Sequence, residues 1–299
     1  MLNLTINNQR TKGILLVLLG ASLWGASGVT AQYLFHQKLF TPEWLVVVRL
    51  IISGVLLLLY DCYKHHSSIF TIWTISKDRN QLLLFGLLGM LSVQYTYFAA
   101  IKHGNAATAT ILQYLMPVLI VFYVVWQSRK FPSFLEIISI FLAVIGTFLL
   151  VTKGNFHSLA MSKPALFWGL LSAFSAAFYT LQPRYLLSRW RSSLVIGWGM
   201  LIGGIAMSPI NPPWEFIGIW DLSAFWGLIF IIIFGTVIAF SAYLESIRYL
   251  LPSETGTIAS VEPLSAVILS IYFLHTPFSL IDCLGGLCIL STVFILARR

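Results

Sequence analysis

The chain has 299 residues, of which 58% are hydrophobic and only 9% charged, and it carries a formal net charge of +8. A soluble domain of this size clothes itself with roughly a quarter charged residues, so most of this surface is built to face hydrocarbon. The composition excludes an ordinary water-soluble enzyme or a nucleic-acid-binding domain, and the surplus of positive charge has a topological explanation given below.

A helix that crosses a bilayer takes about 20 apolar residues, because hydrocarbon offers no partner to an unpaired backbone group. Ten runs meet that requirement. In chain order they are span one (13–37), span two (44–60), span three (82–101), span four (104–128), span five (134–151), span six (164–183), span seven (192–214), span eight (222–244), span nine (253–274) and span ten (278–297). Turn and charge signals separate them: His65, His66, Ser67 and Ser68; residues 76–80; Lys153, Gly154 and Asn155; Asn211, Pro212 and Pro213. Arg10 and Lys12 precede the first run as they would in a secretory signal. The run is longer than a signal core and has a counterpart in the second half, so it is read as a retained span.

With the N-terminus inside, thirteen of the eighteen Lys and Arg residues fall on the inner side. Four (Lys38, Lys102, Lys153 and Lys163) fall outside, and Arg49 alone remains within a span. This positive-inside asymmetry places both termini in the cytoplasm. Cys62, Cys283 and Cys288 show no paired spacing, and the six histidines are scattered over both sides, so no metal site, cofactor or catalytic cluster is expected. The longest loop, about residues 61–81, is too short for the soluble output domain of a sensor.

A shift of 146 aligns the two halves without a gap from about Leu82 to the C-terminus. Gly89 falls on Gly235, Tyr97 on Tyr243, Ile101 on Ile247, Pro117 on Pro263 and Phe148 on Phe294; Lys102 meets Arg248 and Glu136 meets Asp282. The first spans match only weakly, at a slightly different shift, through Tyr33 and Tyr185. The chain thus divides into two five-helix units, 1–152 and 153–299. An odd number of crossings turns the second unit upside down, so the fold class is an all-α membrane protein of ten transmembrane helices in two inverted five-helix repeats. Inverted repeats can rock about a midplane site and expose it alternately to either side.

Leu23, Trp24 and Gly25 in span one carry a resemblance to a known family, as do Pro42 and Arg49 in span two. Residues 97–101 and Pro117 continue it, and residues 243–247, Glu262, Pro263 and residues 284–286 repeat it in the second half. In these residues the chain resembles the EamA-type carriers of the drug/metabolite transporter superfamily. The resemblance implies a central cavity lined by spans one, three, four, six, eight and nine, and export of amino acids or related metabolites. Where members usually carry a glutamate after spans four and nine, this chain has Gln127–Arg129 and Leu274–Thr276, so no role of those acids transfers.

Ionisable groups within a span cost on the order of 2.5–3.5 kcal/mol each and therefore mark candidate sites. Glu262 lies near the midplane of span nine beside Pro263; it is read either as a carboxylate for a substrate amine or a coupling proton, or as a structural hydrogen-bonding group. Arg49 either binds a substrate carboxylate or snorkels and pairs with an acid such as Glu43. Glu245 and Arg248, three apart, suit a local ion pair. The uncharged candidates are Gln94, Gln113, Tyr114, Ser241 and Tyr243, with Trp24 and Tyr179 in spans one and six; aromatic walls favour an apolar or cationic ligand. Pro117 and Pro263 are hinge candidates, and Gly199 and Gly203 suit close packing of two helices, from one chain or two.

These features point to a secondary transporter for a small metabolite, amino acid-like and neutral or cationic, working as an exporter by alternating access. The alternative is an organic-anion or sugar-phosphate exchanger of the same fold, which calls for several cavity cations where Arg49 stands alone. The expected partners are a small-molecule substrate and the lipid bilayer, with a proton as the coupling ion and a monomer or homodimer as the assembly. The expected location is a bacterial plasma membrane.

Overall fold

The computed structural model describes residues 2–65, 68–129, 131–155, 159–250 and 252–297. His66, Ser67, Lys130, His157, Arg298 and Arg299, used above, lie outside the described residues. The described chain is helical, and nine helices are long and apolar enough to cross a membrane: Gln9–Gln37, Pro42–His65, Ser76–His103, Ala106–Ser128, Phe134–Thr152, Lys163–Leu187, Leu222–Ser246, Glu254–Leu274 and Leu280–Ala297. The tenth, Ser192–Met207, is shorter. They correspond in order to the ten expected spans.

Two expectations are corrected. Span seven stops at Met207 rather than running to Trp214, because Pro209, Pro212 and Pro213 withdraw backbone donors. Residues 76–80 are not a break but the first turns of span three, which begins at Ser76. Their polar residues are held by the neighbouring segment: the indole Nε1 of Trp190 donates to Asp78 at 2.8 Å, and Arg189 lies 3.6 Å from the same carboxylate.

The repeat extends from sequence into local structure. Spans three and eight each contain a π-helical segment, Phe85–Leu91 and Phe230–Ile238, at positions 146 apart to within a residue. Span four pauses after Gln113 and resumes at Met116, while span nine pauses after Ile258 and resumes at Val261. The two helices then end on left-handed residues, Arg129 and His275, again 146 apart. Spans five and ten open with matching capping boxes. The Glu136 carboxylate accepts from Ser133 N at 2.6 Å, and the Asp282 carboxylate accepts from Ser279 N at 2.7 Å. The match of acid to acid is therefore the same orphan-donor problem solved twice.

Helix packing obeys the same symmetry. Spans two and seven pack together, as do five and ten, and each pair is its own equivalent under exchange of the halves. Span three lies on six as span eight lies on one, and span four lies on six as nine lies on one; spans four and nine meet in the middle. Five crosses ten where Gly146 faces the Gly285 carbonyl and Gly285 faces the Gly146 carbonyl, a backbone approach that leaves no room for side chains. Gly199 and Gly203 of span seven serve close packing within this one chain, against Phe85 and the Gly86 carbonyl of span three.

Candidate functional site

The two pauses in spans four and nine are where the sequence places prolines. Pro117 and Pro263 fall in the first turn of the resumed helices, where a backbone N–H would have no intrahelical partner, so a proline there removes nothing the helix needs. The breaks touch each other. Tyr114, in the pause of span four, donates its hydroxyl to the carbonyl of Ala259, in the pause of span nine, at 2.8 Å, and lies 3.2 Å from Glu262 Oε2. Glu262 sits in the first turn of the resumed helix, where the helix dipole favours negative charge. Its Oε1 has no hydrogen-bond partner among the described residues.

Rings and hydroxyls surround this carboxylate. Arg49, Tyr97, Tyr114 and Tyr243 all lie close enough to interact with its charge. Trp24 packs on Tyr243 at 5.1 Å and on Phe240 at 5.0 Å between ring centroids. The Tyr97 hydroxyl is 2.8 Å from Thr110 Oγ1. Tyr179 stacks on Phe85 at 5.5 Å. Gly25 of span one lies directly against the backbone carbonyl of Glu262, so spans one and nine pack closely at this level. Trp24 Nε1, Ser27 Oγ and Ser260 Oγ are buried without a protein partner. Such groups are rare in native interiors, and an ordered water or a polar ligand can supply the missing partner.

Arg49 departs from the expectation that it snorkels and pairs with Glu43. It is 4% exposed, it does not snorkel, and its partners are all uncharged. Nε donates to Thr236 Oγ1 at 2.8 Å, Nη1 to Gln94 Oε1 at 2.9 Å and Nη2 to the Gly235 carbonyl at 3.3 Å, with the Phe98 ring 5.0 Å away. Glu43 instead accepts from the Tyr95 hydroxyl at 2.9 Å. Distance decides this: Glu43 lies nearly two helical turns before Arg49 on the same helix, whereas spans three and eight present acceptors at its own level.

The structure thus brings Glu262, Tyr114, Tyr243, Trp24 and Arg49 into one neighbourhood and shows Gln94 committed to Arg49. Gln113 and Ser241 are half-buried and make no side-chain hydrogen bond among the described residues. Glu245 and Arg248 pair at 3.1 Å, as the spacing suggests. Ser27, Thr236 and Ser260 are the polar groups that the sequence reading does not single out. A hydroxyl in an apolar run ordinarily bonds its own preceding turn, as Thr236 does, and no local signal marks Ser27 and Ser260, which do not. An apolar groove of about 430 Å³ on spans four, five and six, lined by residues such as Val118, Ile140 and Phe174, holds no charged group.

Ten helices whose interrupted members meet at an intramembrane carboxylate define an integral membrane protein built as a transporter. Comparison with known proteins agrees: the chain belongs to the EamA-like transporter family, whose profile matches residues 11–152 and 163–298. It is 39% identical over 286 residues to a Salmonella typhimurium protein named "Uncharacterized inner membrane transporter YicL", covering 96% of this chain and 95% of that one. It is 26% identical over 260 residues to a Bacillus subtilis protein named "Uncharacterized transporter YetK", covering 82% and 75% of the two chains. One solved crystal structure superposes with a TM-score of 0.64 at 15% identity, covering 97% of this chain and 98% of the other, a likeness of fold.

Proposed function

We propose that the chain is a secondary carrier that exports a small amino acid-like solute, neutral overall or cationic, by alternating access of the Glu262 neighbourhood to the two sides of a bacterial plasma membrane. The observation that carries this reading is the free Oε1 of Glu262 at the meeting point of two interrupted helices, walled by Trp24, Tyr114 and Tyr243. A carboxylate in such a wall attracts an ammonium group by charge, and the rings add cation–π attraction of about 0.5–2 kcal/mol. The buried donors Trp24 Nε1 and Ser27 Oγ suit the acceptor end of the same solute.

The organic-anion alternative is disfavoured by Arg49, three of whose five N–H donors are engaged by Thr236, Gln94 and Gly235. Pro117 and Pro263 serve as paired hinges in this scheme, since both stand where a helix is already interrupted. Glu262 carries the coupling proton when it releases the cation. Orientation with both termini inside rests on the loop charges, and the bacterial plasma membrane on the likeness to a protein named as an inner membrane transporter.

The test is thermal unfolding of the purified protein against amino acids, quaternary amines, nucleosides and sugar phosphates, since a ligand that binds only the folded state raises its stability. Zwitterions or cations are expected to stabilise the wild type and not Glu262→Gln. Stabilisation by phosphates alone would overturn the reading in favour of the anion exchanger. Flux in Glu262→Gln that responds fully to an imposed pH gradient would remove the proton from the scheme.

A further inference from the structure

The π-helical segments of spans three and eight decide which way two tyrosines face. A π segment places one residue more in a turn than an α-helix does, and such segments concentrate at functional sites. Everything that follows it is rotated by about 100° relative to an uninterrupted α-helix, the angle of one residue. Tyr97 and Tyr243, six and five residues beyond their segments, both meet groups of neighbouring spans: the Tyr97 hydroxyl lies 2.8 Å from Thr110 Oγ1, and the Tyr243 ring packs on Trp24 at 5.1 Å.

The two segments are held unequally. In span three, Phe85 and Gly86 pack on Gly199 and Ile202 of span seven. In span eight, the guanidinium of Arg49 reaches from span two and bonds two consecutive residues inside the segment, the Gly235 carbonyl and the Thr236 hydroxyl. Thr236 Oγ1 in turn donates to the Ile231 carbonyl at 2.8 Å, five residues back. A rigid, forked donor is suited to fixing two acceptors at once, which a lysine ammonium on a flexible stem is not. The third arm of the fork, on Gln94, ties the assembly to span three.

We propose that Arg49 is the positioning residue that holds span eight in its π register and so seats Tyr243 against Trp24 in the Glu262 neighbourhood. The aiming role rests on that neighbourhood being the binding site, as proposed above; the clamp on residues 230–238 stands independently of it. Loss of the clamp lets the segment relax toward an α-helix, which turns Tyr243 away from Trp24 and Glu262. Arg49 thereby acts on the solute through span eight rather than by touching it.

Hydrogen exchange of the full chain in lipid nanodiscs tests the clamp, using Arg49→Lys, Thr236→Val and the conservative Thr236→Ser. Peptides covering 230–238 are expected to change their exchange rate several-fold in Arg49→Lys and Thr236→Val, to return toward wild type in Thr236→Ser, and to leave 85–91 unchanged. With a quaternary amine as the probe, wild-type thermal stabilisation is expected to fall in Thr236→Val and to recover in Thr236→Ser. Unchanged exchange at 230–238, or a change spread evenly over the chain, overturns the clamp. If the amine stabilises Thr236→Val as strongly as wild type, the clamp does not aim Tyr243. If Arg49→Lys fails to fold, the isosteric Thr236→Val and its serine partner decide alone. An amine without effect on the wild type removes the solute reading and the aiming role, while the exchange result still decides the clamp.

Discussion

Tyr114 and Ser260 stand 146 positions apart at equivalent points of the two repeats, one in the pause of each interrupted helix, yet only Tyr114 reaches across to the other half. Its hydroxyl bonds the Ala259 carbonyl at 2.8 Å and approaches Glu262 at 3.2 Å, whereas Ser260 Oγ is buried without a partner. Removing that hydroxyl in Tyr114→Phe costs about 1 kcal/mol of stability, the net worth of an ordinary buried hydrogen bond. Thermal unfolding of the purified variant checks this, and a melting temperature equal to wild type would mean the bond contributes nothing.

Gly25 marks the closest approach of span one to span nine. A Cβ there would lie 2.6 Å from the Glu262 carbonyl and 2.9 Å from Ala266 N, both backbone atoms that cannot swing aside. Gly25→Ala is therefore expected to destabilise by about 1–3 kcal/mol through overpacking and to abolish transport. Gly256, also helical, has nothing within 4 Å of its added methyl. Gly256→Ala is expected to stabilise by about 0.5–1 kcal/mol through helix propensity. Equal behaviour of the two variants in flux and unfolding assays would contradict the packing argument.

Asp61 is fully buried at the end of span two and is held by Arg191 at 2.7 Å, with Ser193 and His65 beside it. Arg191→Ala leaves a buried carboxylate without its cation. The expected loss is roughly 2–3 kcal/mol, less than for a fully buried pair because the guanidinium is partly exposed. Adding Asp61→Asn to Arg191→Ala should recover part of that loss. A double variant as unstable as the two single losses combined would show that the pair is not coupled.

Asp221 caps span eight and pairs with Lys38 at 2.6 Å. The Lys38 ammonium, with the Ala224 backbone N–H and the Ser223 hydroxyl, holds the Asp221 carboxyl well below the usual carboxylate range. A depressed carboxyl contributes stability that is complete above its unfolded value of about 3.9 and is lost as pH falls through the folded value. Asp221→Asn keeps a capping acceptor but not the charge. Its melting temperature is expected to fall below wild type at neutral pH and to approach it in strong acid; parallel curves would dismiss the charge.

The ten crossings were legible because each is an apolar run bounded by polar or turn residues, and the repeat because chemically distinctive residues recur in one register. Glu136 with Asp282 and Pro117 with Pro263 are of this kind: each answers a local backbone requirement that recurs when the same helix is built twice. Arg49 was visible as an anomaly, but its partners Gln94, Gly235 and Thr236 come from spans distant in sequence, and only packing joins them. The π segments were not legible. Residues 230–238 read as an apolar run like any other, and their register is set by what presses on them. Residues 76–80 looked like a loop because Lys77, Asp78 and Arg79 are polar, but Trp190 and Arg189 complete a helix end there.

With an odd number of crossings in each half, equivalent helices of the two halves run in opposite directions, and spans four and nine meet in the middle. Glu262 and Met116 occupy equivalent positions, one an acid and the other apolar. The molecule is therefore nearly symmetric in its scaffold and asymmetric in its chemistry, so that its two halves are alike in outline and not interchangeable.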